Sequence, residues 1–249
     1  MQENKTTLKV HSIESFGTHD GPGIRMVIFT QGCNLKCLYC QNADTIPYKG
    51  GEEYALEDLV KRAINMKSYF GSDGGVTVSG GEPLVQNQAI IELFQLLKAE
   101  GIHTNIDTNG TINNKNTQLL ISELSDLIMF DVKHTQKDGF NKLVGFDGLS
   151  ILLKNVALRE KSKKPYWLRY VLVPGYTDDD ASLQMLIENF SQNKYLEKLE
   201  ALPYHKLGQH KWEMLNWEYQ LGNVNENTPE NLKRVENILS EHFTDVSIR

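Results

Sequence analysis

The stretch Cys33-Asn34-Leu35-Lys36-Cys37-Leu38-Tyr39-Cys40 holds all three cysteines of the chain, four and then three positions apart. Three thiols this close together cannot build a disulfide framework, so a metal is the expected partner. Structural zinc closes its tetrahedron with four protein ligands, and here it would have to recruit His11 or His19 from outside the stretch. Electron-transfer iron-sulfur clusters also take four cysteines. Three thiolates on a 4Fe-4S cubane leave one iron open, and an open position is what catalytic metal sites keep. Ligand count favours the cluster, with the zinc site as the alternative.

Outward from the cysteines, the preceding run Arg25 to Gln31, with Met26, Val27, Ile28 and Phe29, reads as a strand buried on both faces. Leu8 to Phe16 alternates apolar residues and predicts a strand outside the main repeat, and Gly17-Thr18-His19-Asp20-Gly21-Pro22-Gly23 cannot be regular structure. After the cysteines the chain repeats strand, loop, helix. Strands are predicted at Val76–Val78, Ile102–Ile106, Leu127–Val132, Trp167–Val173 and Leu199–Leu202. Helices are predicted at Leu56–Met66, Gln86–Glu100, Thr117–Leu124, Leu149–Arg159, Asp180–Phe190 and from Pro229 to about Phe243, the last capped by Thr228.

Six such units are fewer than the roughly eight of a closed barrel. The expected fold is α/β, an open partial (β/α)6 TIM-like barrel with its active site at the C-terminal ends of the strands. One domain over 1–249 is expected, with an N-terminal strand and loop (1–24), a partial barrel core (25–205) and a C-terminal extension (206–249). The polar or glycine-rich groups that stand out all follow a strand: the cysteines, Ser79-Gly80-Gly81-Glu82, Asp107, Asp131 with Lys133, and His205. Taken alone, Gly80-Gly81 reads equally well as a turn, and Asp131 with Lys133 reads equally well as an ion pair or as ligands.

Composition bounds the rest. At 249 residues, 40% hydrophobic and 23% charged, the chain can bury one large core or two small ones. It has no apolar run of about 18 residues, and Met1-Gln2-Glu3-Asn4-Lys5 is polar, unlike a signal peptide. A cytoplasmic protein with no membrane partner is expected, in a compartment where thiols stay reduced. Net charge is -6 without a long basic block, which offers a nucleic-acid backbone no docking surface.

The cysteine spacing, with aromatic Tyr39 before the last cysteine, resembles the signature of radical S-adenosylmethionine enzymes. Asp20-Gly21-Pro22-Gly23, Ser79-Gly80-Gly81-Glu82, Asp107-Thr108-Asn109-Gly110, Asp131 with Lys133, Leu202-Pro203-Tyr204-His205 and His210-Lys211-Trp212 extend the resemblance to the activating enzymes of glycyl radical enzymes. It implies a 4Fe-4S cluster on Cys33, Cys37 and Cys40, whose open iron chelates S-adenosyl-L-methionine, and cleavage of that cofactor to a 5'-deoxyadenosyl radical. It also implies cofactor contacts at Tyr39, Cys40, Gln41, Ser79, Gly80, Gly81, Glu82, Asp131, Val132, Lys133 and His205. A monovalent cation (Na+ or K+) is implied at Asp107, Thr108, Met129 and Asp131, and a substrate peptide at Asp20. No catalytic residue is implied beyond the cluster and cofactor.

The implied partners are pyruvate formate-lyase, through its glycyl radical loop, and a reduced flavodoxin or ferredoxin as electron donor, with this chain a monomer. Gln41 stands where many relatives carry histidine. No cysteine remains for the ferredoxin-like module that other activating enzymes insert. Two alternatives are a radical enzyme acting on a small molecule and a non-catalytic metal-binding module.

Overall fold

The computed structural model describes residues 6–249, so the polar segment Met1–Lys5 lies outside the described residues. The strands are β1 (Thr7–Gly17), β2 (Arg25–Thr30), β3 (Glu52–Ala55), β4 (Gly75–Gly80), β5 (His103–Thr108), β6 (Leu127–Asp131), β7 (Tyr166–Leu172), β8 (Leu196–Pro203) and β9 (Val246–Ile248). The α-helices are α1 (Leu56–Phe70), α2 (Asn87–Ala99), α3 (Lys115–Leu119), α4 (Lys137–Val144), α5 (Leu149–Lys161), α6 (Asp180–Phe190), α7 (Gln209–Met214) and α8 (Pro229–Ser240). Packing divides them into two compact units. The first takes the chain up to Asn34, Thr45–Thr108 and Ile112–Met129; the second takes Leu35–Asp44, Asn109–Thr111 and Phe130–Arg249. Strand β6 begins in one and ends in the other.

In the first unit the strand order is β3-β1-β2-β4-β5-β6. β1 runs antiparallel to both β2 and β3, while β2, β4 and β5 are parallel, with Ile28 level with Val78 and Val78 level with Ile106. β2 and β4 carry almost unbroken buried residues because both of their faces are covered, which is why they read as continuous apolar runs rather than alternations. Leu59 and Ala63 of α1, and Ile90, Leu93, Phe94 and Leu97 of α2, belong to the same buried cluster as Met26, Ile28, Val76, Val78 and Ile106. After α3 the chain makes one π-helical turn, Leu120–Leu124, where a single helix was expected.

In the second unit β7 and β8 are parallel, and β9 adds parallel to β8. β7 alternates strictly, with Tyr166, Leu168, Tyr170 and Leu172 buried. Asp179 caps α6 by accepting the Ser182 N–H at 3.0 Å. Thr228 caps α8, whose first residue is Pro229, as its sequence predicts.

All six predicted strand-helix units are present, and the strand order closes on itself in neither unit. The fold is α/β with an open, mainly parallel sheet. Four elements were not expected: β3, α4, α7 and β9. β3 is Glu-Glu-Tyr-Ala, an edge strand that exists through its pairing with β1 and carries no apolar alternation. α4 contains Gly139, a helix-weakening residue whose Cβ would stand 2.2 Å from the His134 ring.

Candidate functional site

In the first unit, three groups predicted from sequence share the carboxyl ends of β2, β4 and β5. Cys33 is half-buried just beyond β2, and its N–H donates to the Ile46 carbonyl at 3.1 Å, next to the Gly32 N–H on Thr45 at 2.8 Å. The Ser79–Glu82 stretch is sewn to the same edge: the Gly81 N–H donates to Thr30 at 2.9 Å and the Glu82 N–H to Gly32 at 2.8 Å. Gly80 sits at φ +111°, and a Cβ there would lie 2.2 Å from the Thr30 nitrogen. A Cβ on Gly81 would lie 2.2 Å from the Gly32 oxygen. The chain's own backbone therefore already demands both glycines.

The buried Glu82 carboxylate accepts the Leu84 N–H at 2.9 Å and the Thr108 hydroxyl at 2.6 Å, capping the 3-10 turn Pro83–Gln86. Ser79 Oγ donates to Asp107 Oδ2 at 2.9 Å, and Met129 is fully buried in β6. Among the intended cation ligands, Asp107 thus meets Ser79, and Thr108 meets Glu82.

The loop carrying Asp20 is held from inside the first unit. The Asp20 carbonyl accepts Thr77 Oγ1–H at 2.6 Å and Asn105 Nδ2–H at 3.0 Å. The buried Arg25 donates from Nε to Thr77 Oγ1 at 2.5 Å and from Nη1 to the Pro22 carbonyl at 3.1 Å. Burial lowers the Arg25 pKa to about 10, against the pull of Asp20 and Asp126, and leaves the guanidinium charged at neutral pH.

In the second unit, the cysteine loop lies along the end of α4: the Lys36 N–H donates to Val144 at 3.2 Å and the Leu38 N–H to Leu143 at 2.9 Å. The Cys40 N–H closes a turn on the Cys37 carbonyl at 3.0 Å. Burial pushes the Cys37 thiol up to about 12, although Lys133 pulls the other way, and burial also raises Cys40. None of the three cysteines is in a disulfide. The Tyr39 hydroxyl is buried with no hydrogen-bond partner among the described residues, and Lys133 Nζ stands 5.8 Å from the Tyr39 ring centroid.

Asp131 and Lys133 form an ion pair at 2.6 Å, one of the two readings their spacing allowed. Burial opposes the Lys133 charge, yet Asp131 first, then Tyr39 and Cys37, hold its pKa well above the ordinary value. Between the two, Val132 is buried and its N–H donates to the Arg169 carbonyl at 2.8 Å. His205 follows β8; its carbonyl accepts Gln41 Nε2–H at 2.8 Å, and its ring makes a long 3.4 Å contact with the Leu207 N–H.

Among the described residues, no three or more His, Cys, Asp or Glu side chains gather as ligands for a single metal ion, and no helix is long and apolar enough to cross a membrane.

Residues 27–186 match the family model of the radical SAM superfamily. Over 236 residues, 94% of this chain and 96% of its relative, the sequence is 42% identical to the pyruvate formate-lyase 1-activating enzyme of Escherichia coli (strain K12). The chain belongs to the radical SAM superfamily, among the pyruvate formate-lyase-activating enzymes. It is 46% identical over 223 residues to the pyruvate formate-lyase-activating enzyme of Staphylococcus epidermidis, covering 86% of this chain and 88% of that one. Streptococcus suis SuiB bound to precursor peptide SuiA shares the fold with a TM-score of 0.71 at 16% identity, over 96% of this chain and 50% of that chain.

Membership of this superfamily brings a 4Fe-4S cluster and S-adenosylmethionine. The donor set suits the cluster. Burial keeps the Cys37 thiol protonated at neutral pH, and iron bound there would displace that proton, because a coordinated thiol is ionised outright. The Tyr39 hydroxyl, within the same loop, is buried and has no hydrogen-bond partner among the described residues, a state in which folded chains rarely leave a polar group.

The segment after His205 was expected only as an extension, yet it grips the cysteine loop. Trp212, 1% exposed, donates Nε1–H to the Cys40 carbonyl at 2.9 Å. Lys211 Nζ reaches Asn42 Oδ1 at 2.9 Å and Asp44 Oδ1 at 3.1 Å. The signal available in sequence was a tryptophan in an otherwise polar stretch, His210-Lys211-Trp212, which already belonged to the resemblance.

Proposed function

We propose that this chain activates pyruvate formate-lyase by removing a hydrogen atom from a glycine of that partner. The observation that carries this reading is the 42% identity to an activating enzyme over 94% of the chain. When bound, the cluster and S-adenosylmethionine supply the one-electron chemistry that generates the hydrogen-abstracting 5'-deoxyadenosyl radical. The chain's own part is to hold, orient and shield these groups.

In this reading Cys33, Cys37 and Cys40 carry the cluster, and the main chain of Gly80 and Gly81 meets the amino group of the cofactor. The rigid seam at Thr30 and Gly32 supports that role, because a backbone fixed on both sides presents its groups at little entropic cost. Lys133 and His205 face the cofactor, and Tyr39, Gln41, Ser79, Glu82 and Val132 shape the loops around it. Asp107, Thr108, Met129 and Asp131 hold a monovalent cation, Na+ or K+, with Lys133 sharing the charge of Asp131. Asp20 receives the glycine-bearing loop of the partner, from a loop whose backbone is held by Thr77 and Asn105 on the Asp20 carbonyl. A reduced flavodoxin or ferredoxin delivers the electron, and the protein works as a cytoplasmic monomer.

The test mixes anaerobically reconstituted, reduced protein with S-adenosylmethionine and pyruvate formate-lyase. A glycyl radical seen by electron paramagnetic resonance, together with 5'-deoxyadenosine, is expected. Failure to activate any glycyl radical enzyme while a small molecule is turned over would replace this reading with that of a small-molecule radical enzyme.

A further inference from the structure

Gln41 makes three hydrogen bonds through one side chain. Nε2–H donates to the His205 carbonyl at 2.8 Å and to the Tyr39 carbonyl at 3.2 Å, while Oε1 accepts the Gly208 N–H at 2.6 Å. The orientation of the amide is fixed by chemistry, since a carbonyl can only accept and a peptide N–H can only donate. The two partners on the far side lie 164 and 167 positions away. Gly208 completes the fit: a Cβ there would stand 2.6 Å from Gln41 Cα and 2.7 Å from its carbonyl oxygen. The Gly208 backbone, at φ -84° and ψ -1°, is open to any residue, so it is contact with Gln41 that demands glycine.

We infer that Gln41 is a positioning residue that sets His205 by clamping the loop after β8 onto the cysteine loop. The inference rests on the reading of His205 as a cofactor contact. The clamp grips the main chain on both sides of the 205–208 turn: the carbonyl of His205 and the N–H of Gly208 meet the same amide. Among the described residues, the hydrogen-bond contact of the imidazole itself is the long one to the Leu207 N–H at 3.4 Å, so the main-chain clamp is the firmer constraint. A histidine at position 41 could offer one donor and one acceptor but not the second donor that reaches Tyr39. Glutamine satisfies all three partners at once.

Two substitutions test this from opposite sides. Gln41→Glu keeps the acceptor for Gly208 but loses both donors and sets a carboxylate against the His205 carbonyl. Gly208→Ala removes no polar group and wedges the loops apart. Backbone hydrogen exchange of 205–208 in the cluster-free protein should speed up in both, on the order of tenfold, as for the loss of one or two net hydrogen bonds. In the reconstituted protein, with iron and sulfide content unchanged, S-adenosylmethionine should bind more weakly by a similar factor. Adding Gln41→Glu to His205→Ala should then weaken binding no further, the non-additivity that marks action through His205.

Faster exchange with unchanged affinity would make the clamp merely structural and overturn the inference. Full additivity with His205→Ala would do the same. If His205→Ala alone leaves affinity intact, the reading of His205 as a contact fails and takes the inference with it. If His205→Ala weakens binding while both clamp variants do not, the contact stands and the coupling falls.

Discussion

Alanine at Gly80 tests whether the glycine pair is kept for the fold or for the cofactor. Two costs are separable there. The backbone at φ +111° is one that side chains rarely adopt, and the added Cβ would stand 2.2 Å from the Thr30 nitrogen, inside the parallel seam of β2 and β4. Strain of this kind costs about 1–3 kcal/mol, and forcing a methyl into close-packed surroundings costs about 1–3 more. The sum, about 2–6 kcal/mol, is a large part of a typical net stability of about 5–15 kcal/mol. In a chain of this length it corresponds to a fall in Tm of about 4–24 °C.

Two other glycines isolate the components. Gly71 has φ +60° but nothing within 4 Å of a built Cβ, so Gly71→Ala carries strain alone. Gly81 is outside the positive-φ set but collides with the Gly32 oxygen at 2.2 Å, so Gly81→Ala carries collision alone. Denaturant unfolding of the cluster-free proteins, followed by circular dichroism, should rank Gly80→Ala as the most destabilised, near the sum of the other two. If Gly80→Ala costs no more than Gly71→Ala yet abolishes cofactor binding, the packing argument is refuted and the glycine is there for the ligand.

Serine at Cys33, Cys37 or Cys40 should each abolish radical formation and lower bound iron and sulfide together; tightly bound zinc without sulfide in the unsubstituted protein would contradict the cluster assignment. Activity should depend on Na+ or K+ and fall in Asp107→Ala, whereas full activity with monovalent metal ions rigorously removed would reduce the acidic group to the Asp131–Lys133 ion pair. Burial lowers the pKa of His134, which accepts the Gln136 N–H at Nδ1 and donates from Nε2 to the Tyr176 carbonyl, with Asp179 pulling the other way. The unfolded chain therefore binds a proton before the folded one does. The His134 contribution is present above the ordinary histidine pKa of 6.5 and is lost as pH falls through the lowered value. Urea midpoints should drop with acidification in the native protein and drop less in His134→Gln; parallel pH profiles would dismiss the assignment.

What could be read from the sequence follows from how each element is stabilised. β2 and β4 are buried on both faces, so Met26–Phe29 and Val76–Val78 announced themselves as apolar runs. β3 is an edge strand whose Glu52 and Glu53 are exposed, and its pairing with β1 rests on the ladder plus the Thr7 hydroxyl on Glu53 at 2.6 Å, which leaves no apolar alternation to read. The iron-sulfur cluster that the superfamily carries was legible because thiol number and spacing limit the possible metals. The Asp131–Lys133 pair was legible from two-residue spacing, although Lys133 lies past the end of β6. The Gln41 contacts were not, since hydrogen bonds across more than 160 positions leave no local trace.

The Ser79–Glu82 stretch shows why lost activity at a motif position does not by itself identify a ligand contact. Backbone that meets a cofactor has to be held rigid, and here the holding is done by the motif residues themselves: Gly80 and Gly81 by close approach, Glu82 by capping and by its bond to Thr108. Substituting any of them disturbs the seam between β2 and β4 before it touches a ligand. A clean functional test needs a side chain with little structural duty. His205 meets that condition, because its clamped atom is a main-chain carbonyl and, among the described residues, its ring makes one hydrogen-bond contact, of 3.4 Å. His205→Ala should therefore leave the unfolding midpoint of the cluster-free protein unchanged while weakening S-adenosylmethionine binding. Lys133 does not meet it: removing its charge strands a partly buried Asp131, and the resulting loss would mix stability with recognition. The two variants should therefore part on stability, and equal destabilisation by both would mean that the His205 ring carries packing weight beyond its one contact.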